Sequence, residues 1–181
     1  FFSAAAAESY ALVGLYAGGI LNAFERQGDM VTMSCPALFM RKQGVTDSWD
    51  NALINFDQKS WFPGGNYVVM KLWRDSFAPN LLVVDGPERP LNFVATFSAD
   101  KQTLFLKVVN PTSQAIAAVV RFGKLIKSAT MQLVAPGGET VKNTLDEPDN
   151  IKVVAAVATV EGENVKFTLP PLSAAVVRVT P

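Results

Sequence analysis

Two hydrophobic periods divide the chain. Over residues 4–27 Ala and Leu dominate without proline, and Leu12, Leu15, Ile20, Leu21 and Phe24 spread over more than one helical stripe. This pattern predicts one long helix packed on several sides. Gly14, Gly18 and Gly19 would let another backbone approach it closely, and Gly28 stands where a left-handed residue would end it. The following MVTMSC, residues 30–35, reads as a short buried strand between Gly28 and Pro36. Residues 36–63 then make a long irregular connection that holds Trp49, Trp61 and a brief apolar LINF segment. A Pro-Gly-Gly-Asn turn precedes a second, largely covered helix over residues 67–77, with Asn66 as its N-cap.

From Leu81 the period is two. The runs LLVV, LNFVATFS, TLFLKVVN, AIAAVVRF, SATMQLV, VVAAVATV, NVKFTL and AAVVRVT give about eight short strands, separated by turn-forming stretches such as SADKQ, DEPDN and EGEN. In NVKFTL, Val165, Phe167 and Leu169 alternate with Lys166 and Thr168, so one face is wet. Such strands predict an antiparallel sandwich of jelly-roll type. Helix, tight turn and short buried strand together form an αβ step of a parallel barrel. The expected fold is therefore α+β in two parts. Residues 1–80 would be the last αβ elements of a (β/α)8 barrel, and residues 81–181 an all-β antiparallel sandwich.

Composition narrows the chemistry. With 181 residues, 49% of them hydrophobic, the chain has enough apolar material for a sizeable core. Sixteen basic and sixteen acidic side chains cancel, which argues against nucleic acid and membrane surfaces as partners. The longest apolar run, residues 11–21, is too short to cross a bilayer, and no basic region precedes it as in a signal peptide. The first residue is Phe1 rather than methionine, which points to a processed or truncated product. There is no histidine, and Cys35 is the single thiol, so no metal or other cofactor is expected. A Ser-His-Asp or Cys-His relay within the chain is excluded for the same reason. One cysteine does not fix the compartment.

Glu25 and Asp29 read as ordinary helix-end and turn residues, Glu25 pairing locally with Arg26. Cys35 next to Pro36 reads as a buried structural thiol, and the PGG of residues 136–138 as a turn. Asp47, Asp50 and Asp57 lie in the loop that would follow a barrel strand, on the catalytic side of such a fold. Trp49 and Trp61 share that loop and could stack on a sugar ring, although plugging the loop is the plainer role for both.

The blocks AFERQGDMVTMSCPALF, DNALINFDQ, NYVVMKLW, NTLDEPDNI and TLPPLSAAVVRV, in this order, resemble the C-terminal part of the α-L-arabinofuranosidases of glycoside hydrolase family 51. The resemblance implies a retaining hydrolase that removes terminal non-reducing arabinofuranosyl groups from arabinoxylan and arabinan. It also implies that the two catalytic glutamates lie on barrel strands upstream of the first helix, so no catalytic residue is expected here. The implied partners are the upstream catalytic barrel of the same protein and an arabinose-containing oligosaccharide or polysaccharide, and a homo-oligomer is allowed. Leu38 stands where some members place a substrate-binding glutamine, and the common FDN is FDQ here. Asp57 and Gln58, with Trp49 and Trp61, are then the candidate substrate-binding residues. The alternative function is a non-catalytic carbohydrate-binding or structural β-sandwich module.

Overall fold

The computed structural model describes residues 10–45, 52–86 and 89–181. Helix α1 (Ala11–Arg26) is followed by three short strands, β1 (Met40–Lys42), β2 (Ile54–Phe56) and β3 (Trp61–Pro63), and by helix α2 (Gly65–Asp75). Nine strands come next: β4 (Asn80–Leu82), β5 (Asn92–Phe97), β6 (Leu104–Asn110), β7 (Ile116–Arg121), β8 (Ser128–Val134), β9 (Val154–Ala156), β10 (Ala158–Glu161), β11 (Asn164–Leu169) and β12 (Ser173–Thr180). They form a six-stranded sheet in the order β4-β5-β6-β12-β8-β9 and a three-stranded sheet in the order β10-β11-β7. Every pair in these two sheets is antiparallel.

The expected antiparallel sandwich is therefore present, its strands divided six and three. The run VVAAVATV, expected as one strand, breaks at the exposed Val157: β9 pairs with β8, and β10 pairs with β11 in the other sheet. A bend that moves a strand from one sheet to the other closes a corner of the sandwich. Gly162, at φ +63°, makes the tight turn from β10 into β11.

One face of the six-stranded sheet packs on the small sheet, and the other face carries both helices. Leu106, Val108, Val177 and Val179 point into the first core with Val165, Phe167 and Leu169. Val109, Val134, Ala174 and Val176 join Leu15, Val69, Leu72 and Trp73 in the second. Successive residues of a strand point to opposite faces, so β12 needs an unbroken apolar run to fill both cores. The small sheet keeps a wet outer face, as the alternation in β11 shows, and the six-stranded sheet is exposed beyond the helices at Thr130, Gln132 and Arg178.

The helices differ from the sequence expectation at their ends. α1 stops at Arg26, and Gly28 is not among the left-handed glycines; Gln27 instead takes φ −113°, ψ 35°. α2 begins at Gly65 with Gly64 as N-cap, while Asn66 is buried within the first turn. Its cover is one-sided, since Lys71 and Arg74 are exposed.

The expected barrel-end elements are not confirmed. Among the described residues no barrel forms, and the single parallel strand pair is β1 with β2, three residues each. LINF supplies β2 of a small three-stranded sheet instead of lying in an irregular loop. MVTMSC is not a buried strand: Met30 is 77% and Met33 79% exposed, and Cys35 is an exposed free thiol. Among the described residues the backbone of residues 32–37 makes no hydrogen bond. A strand needs a neighbour to pair with, and none of the described residues pairs with this segment.

The two helices meet backbone to backbone. A Cβ built on Gly14 would lie 2.5 Å from the Gly65 carbonyl oxygen, and one built on Gly65 would lie 2.7 Å from that of Tyr10. Helix propensity alone favours Gly→Ala by about 1 kcal/mol. Here the clash reverses the sign, and Gly14→Ala is expected to destabilise the chain by about 1–3 kcal/mol in urea unfolding. An increase in stability would contradict the contact.

Candidate functional site

Three of the site residues expected from sequence, Asp57, Gln58 and Trp61, fall on one hairpin. β2 and β3 pair antiparallel, and Asp57 and Gln58 form the turn that carries the chain to Trp61. Asp57 Oδ1 accepts hydrogen bonds from the backbone N–H of Lys59 at 2.7 Å and of Ser60 at 2.8 Å. These two bonds, that from Lys59 foremost, hold the Asp57 carboxyl below its ordinary pKa. A carboxylate so engaged is a turn-former and a poor proton donor. Gln58 is exposed. Trp61 is 55% exposed and meets Tyr67 of α2 edge-on, with ring centroids 6.4 Å apart and planes at 78°. The structure thus brings Asp57, Gln58 and Trp61 together on one hairpin. Trp49, Asp47 and Asp50 lie outside the described residues.

Beyond Tyr67 opens a cleft of about 470 Å³ between the helices, lined by Leu21, Glu25, Tyr67, Lys71 and Arg74 among others, with Ser34 from the exposed coil. Glu25 is the one carboxyl group among its lining residues. It does not pair with Arg26, as its sequence neighbourhood had implied. Instead Glu25 Oε1 accepts a charge-assisted hydrogen bond from Lys107 Nζ of β6, whose side chain is fully buried. Burial lowers the Lys107 pKa, opposed by the hydrogen bond and charge of Glu25. Glu25 Oε2 is buried without a hydrogen bond among the described residues. Retaining glycoside hydrolysis needs two carboxyl groups about 5–5.5 Å apart. The cleft does not offer that pair.

A set of polar residues between the helices and the sandwich was not singled out from the sequence. The Trp73 indole N–H donates to Asn22 Oδ1 at 2.8 Å, and Asn22 Nδ2 donates to the Asn92 carbonyl and to Asn92 Oδ1, both at 3.1 Å. Arg26 donates to the Phe93 carbonyl at 2.6 Å. One signal was available: Lys107 interrupts the apolar run LFLKVV, and a lysine at a covered position requires a partner.

The sequence blocks themselves serve structure. Asn143 of NTLDEPDNI is buried, donating to the carbonyls of Pro63 at 3.0 Å and Ile151 at 3.1 Å and accepting from the Ile151 N–H at 2.6 Å. Asn55 of LINFDQ is buried against the Ala52 carbonyl, and Ser173 of the PPLS turn donates to the Pro170 carbonyl at 2.7 Å.

Known folds match this arrangement closely. An arabinose-bound family 51 α-L-arabinofuranosidase superposes with a TM-score of 0.87 at 21% identity, covering 96% of this chain and 28% of that one. The enzyme from Thermotoga petrophila RKU-1 gives 0.81 at 20% identity, covering 96% and 39%. The α-L-arabinofuranosidase from Thermotoga maritima, solved as an arabinose complex, gives 0.79 at 18% identity, covering 93% and 38%. At these identities the likeness establishes the fold, and the chain spans between 28% and 39% of these structures' own length. Comparison with curated protein sequences returns no match. The sequence profile of the α-L-arabinofuranosidase C-terminal domain matches residues 7–173. That match takes in both helices, the small hairpin sheet and the sandwich as far as the start of β12, and so the chain belongs to the α-L-arabinofuranosidase C-terminal domain family.

Proposed function

We propose that this chain is the C-terminal portion of a retaining α-L-arabinofuranosidase and is not catalytic by itself. Residues 1–80 complete the catalytic barrel of the same protein, residues 81–181 form the sandwich that braces it, and the substrate is a terminal arabinofuranosyl group of arabinoxylan or arabinan. The observation that carries this is the segment from Met30 to Met40. It is apolar, exposed at Met30, Met33, Phe39 and Met40, and its residues 32–37 have unpaired backbone among the described residues. An extended apolar segment of this kind is a surface for another part of a fold to cover. The arabinose found in two of the matching structures supports the substrate class.

Incubation with an aryl α-L-arabinofuranoside tests the division of labour. The chain alone is expected to give no turnover above background, and the protein that includes the upstream barrel to give full turnover. Turnover by the chain alone that Asp57→Ala abolishes would overturn the proposal.

Within the hairpin, Trp61 is the sugar-contacting residue and Asp57 shapes the turn that presents it. In the complete enzyme Trp61→Ala is expected to raise KM for arabino-oligosaccharides roughly 3- to 10-fold with kcat within about twofold, the scale of one aromatic contact. An unchanged KM would exclude the contact. Asp57→Ala is expected to lower the Tm of the chain at neutral pH. A carboxyl with a depressed pKa stabilises above its ordinary titration range and loses that contribution as pH falls through the depressed value. The Tm gap between the native chain and Asp57→Ala should therefore close on acidification; a gap that stays constant would contradict the turn assignment.

Exposed Trp61 beside Tyr67 also favours a second function, a hairpin that holds polysaccharide without cleavage. Calorimetric titration of the isolated chain with arabinoxylo-oligosaccharides separates the two. The barrel-completing function predicts no heat at millimolar ligand, and a saturable isotherm lost in Trp61→Ala would establish the binding module.

A further inference from the structure

We propose that the sandwich sets the position of the 30–40 segment through a polar clamp on the last two turns of α1, which makes Asn92 and Lys107 positioning residues for that segment. This rests on the function proposed above, in which that segment completes the barrel.

Asn22, Glu25 and Arg26 are spaced three and four apart, so they share one side of the helix. Each is bonded to the sandwich. Asn92, at the start of β5, is the hub: its Oδ1 accepts from Asn22 at 3.1 Å and from Arg26 at 3.3 Å, and its Nδ2 donates to the Gly19 carbonyl at 3.3 Å. Lys107 reaches Glu25 from the centre of β6. Trp73 closes the set from α2 through Asn22. Asn22 and Lys107 are fully buried, so any slide or rotation of α1 would strip bonds from groups that water cannot serve. Apolar contacts in the same interface tolerate small shifts, whereas these directional bonds specify one placement.

The clamp lies at the very end of the helix. From Arg26 the chain reaches Met30 through a turn in which the N–H groups of Met30 and Val31 both donate to the Gln27 carbonyl at 2.9 Å. No long linker separates the clamped residues from the exposed segment. A displaced helix end would therefore move the segment, and small misplacements in an active site are costly to rate.

The test uses the complete enzyme, barrel included. Two variants break the clamp: Asn92→Ala, and Glu25→Leu with Lys107→Met, which removes both charges and leaves neither buried and alone. Leu169→Ala is the control, because Leu169 is fully buried in the core on the opposite face of the sheet and touches none of the clamp. At a temperature where all are folded, both clamp variants are expected to lose about tenfold or more in kcat on an aryl α-L-arabinofuranoside, with KM within about twofold. The control is expected to lose Tm and keep its kcat. Native kcat in the clamp variants, or an equal loss in the control, overturns the clamp and leaves the proposed function standing. An unmutated complete enzyme without arabinofuranosidase activity overturns both.

Discussion

Burial of the central strands of the six-stranded sheet, β6 and β12, on both faces is the constraint from which the rest of this structure follows. β12 runs through the middle of that sheet, sending Ala175, Val177 and Val179 to the small sheet and Ala174 and Val176 to the helices. Neighbours from Ala174 to Val177 thus stabilise two interfaces at once, and burial at roughly 25 cal/mol per Å² makes both strongly favourable. The sandwich and the helix pair are held as one body by a shared sheet, without need of a rigid linker between them.

The same double burial dictates where polarity is permitted. A lysine on β6 points into the helix-covered face and is tolerated because Glu25 meets it there. Asn22 and Asn92 complete one another's hydrogen bonds, and Asn143 and Asn55 do the same for loop carbonyls. Helix α1 is consequently fixed on the sheet side by apolar packing and polar bonds, and on the α2 side by the glycine contact. What remains uncovered is the coil that follows it, and its exposed methionines are the part of the surface that a soluble interface explains least.

Regular periodicity made most of the sandwich legible: seven of the expected strand runs became single strands and the eighth became β9 and β10. The break at Val157 was invisible because every residue from Val153 to Val160 has a strand-forming or neutral side chain, and only the tertiary bend separates them. MVTMSC failed as a strand for a different reason. Apolar β-branched composition states a preference for being paired and covered, but the pairing partner must come from elsewhere, and none of the described residues supplies it. Glu25 was misjudged because local sequence offers Arg26 one residue away, whereas the actual partner Lys107 lies 82 residues on. Asp57, Gln58 and Trp61 were read as members of one irregular loop, and the hairpin that joins them became evident only from the pairing of β2 with β3, as did the use of Asp57 as a turn acceptor from its bonds to Lys59 and Ser60.

Residues 30–40, in the function proposed above, belong to a surface that an upstream part of the same protein completes. Amide hydrogen exchange read at residues 32–37 tests it most directly, comparing this chain alone with the protein that carries the upstream barrel. Exchange near the unprotected rate is expected in the chain alone, and slowing by at least about 100-fold in the longer protein, as unpaired amides enter a ladder. Protection already present in the chain alone, or unprotected exchange in both, would contradict it.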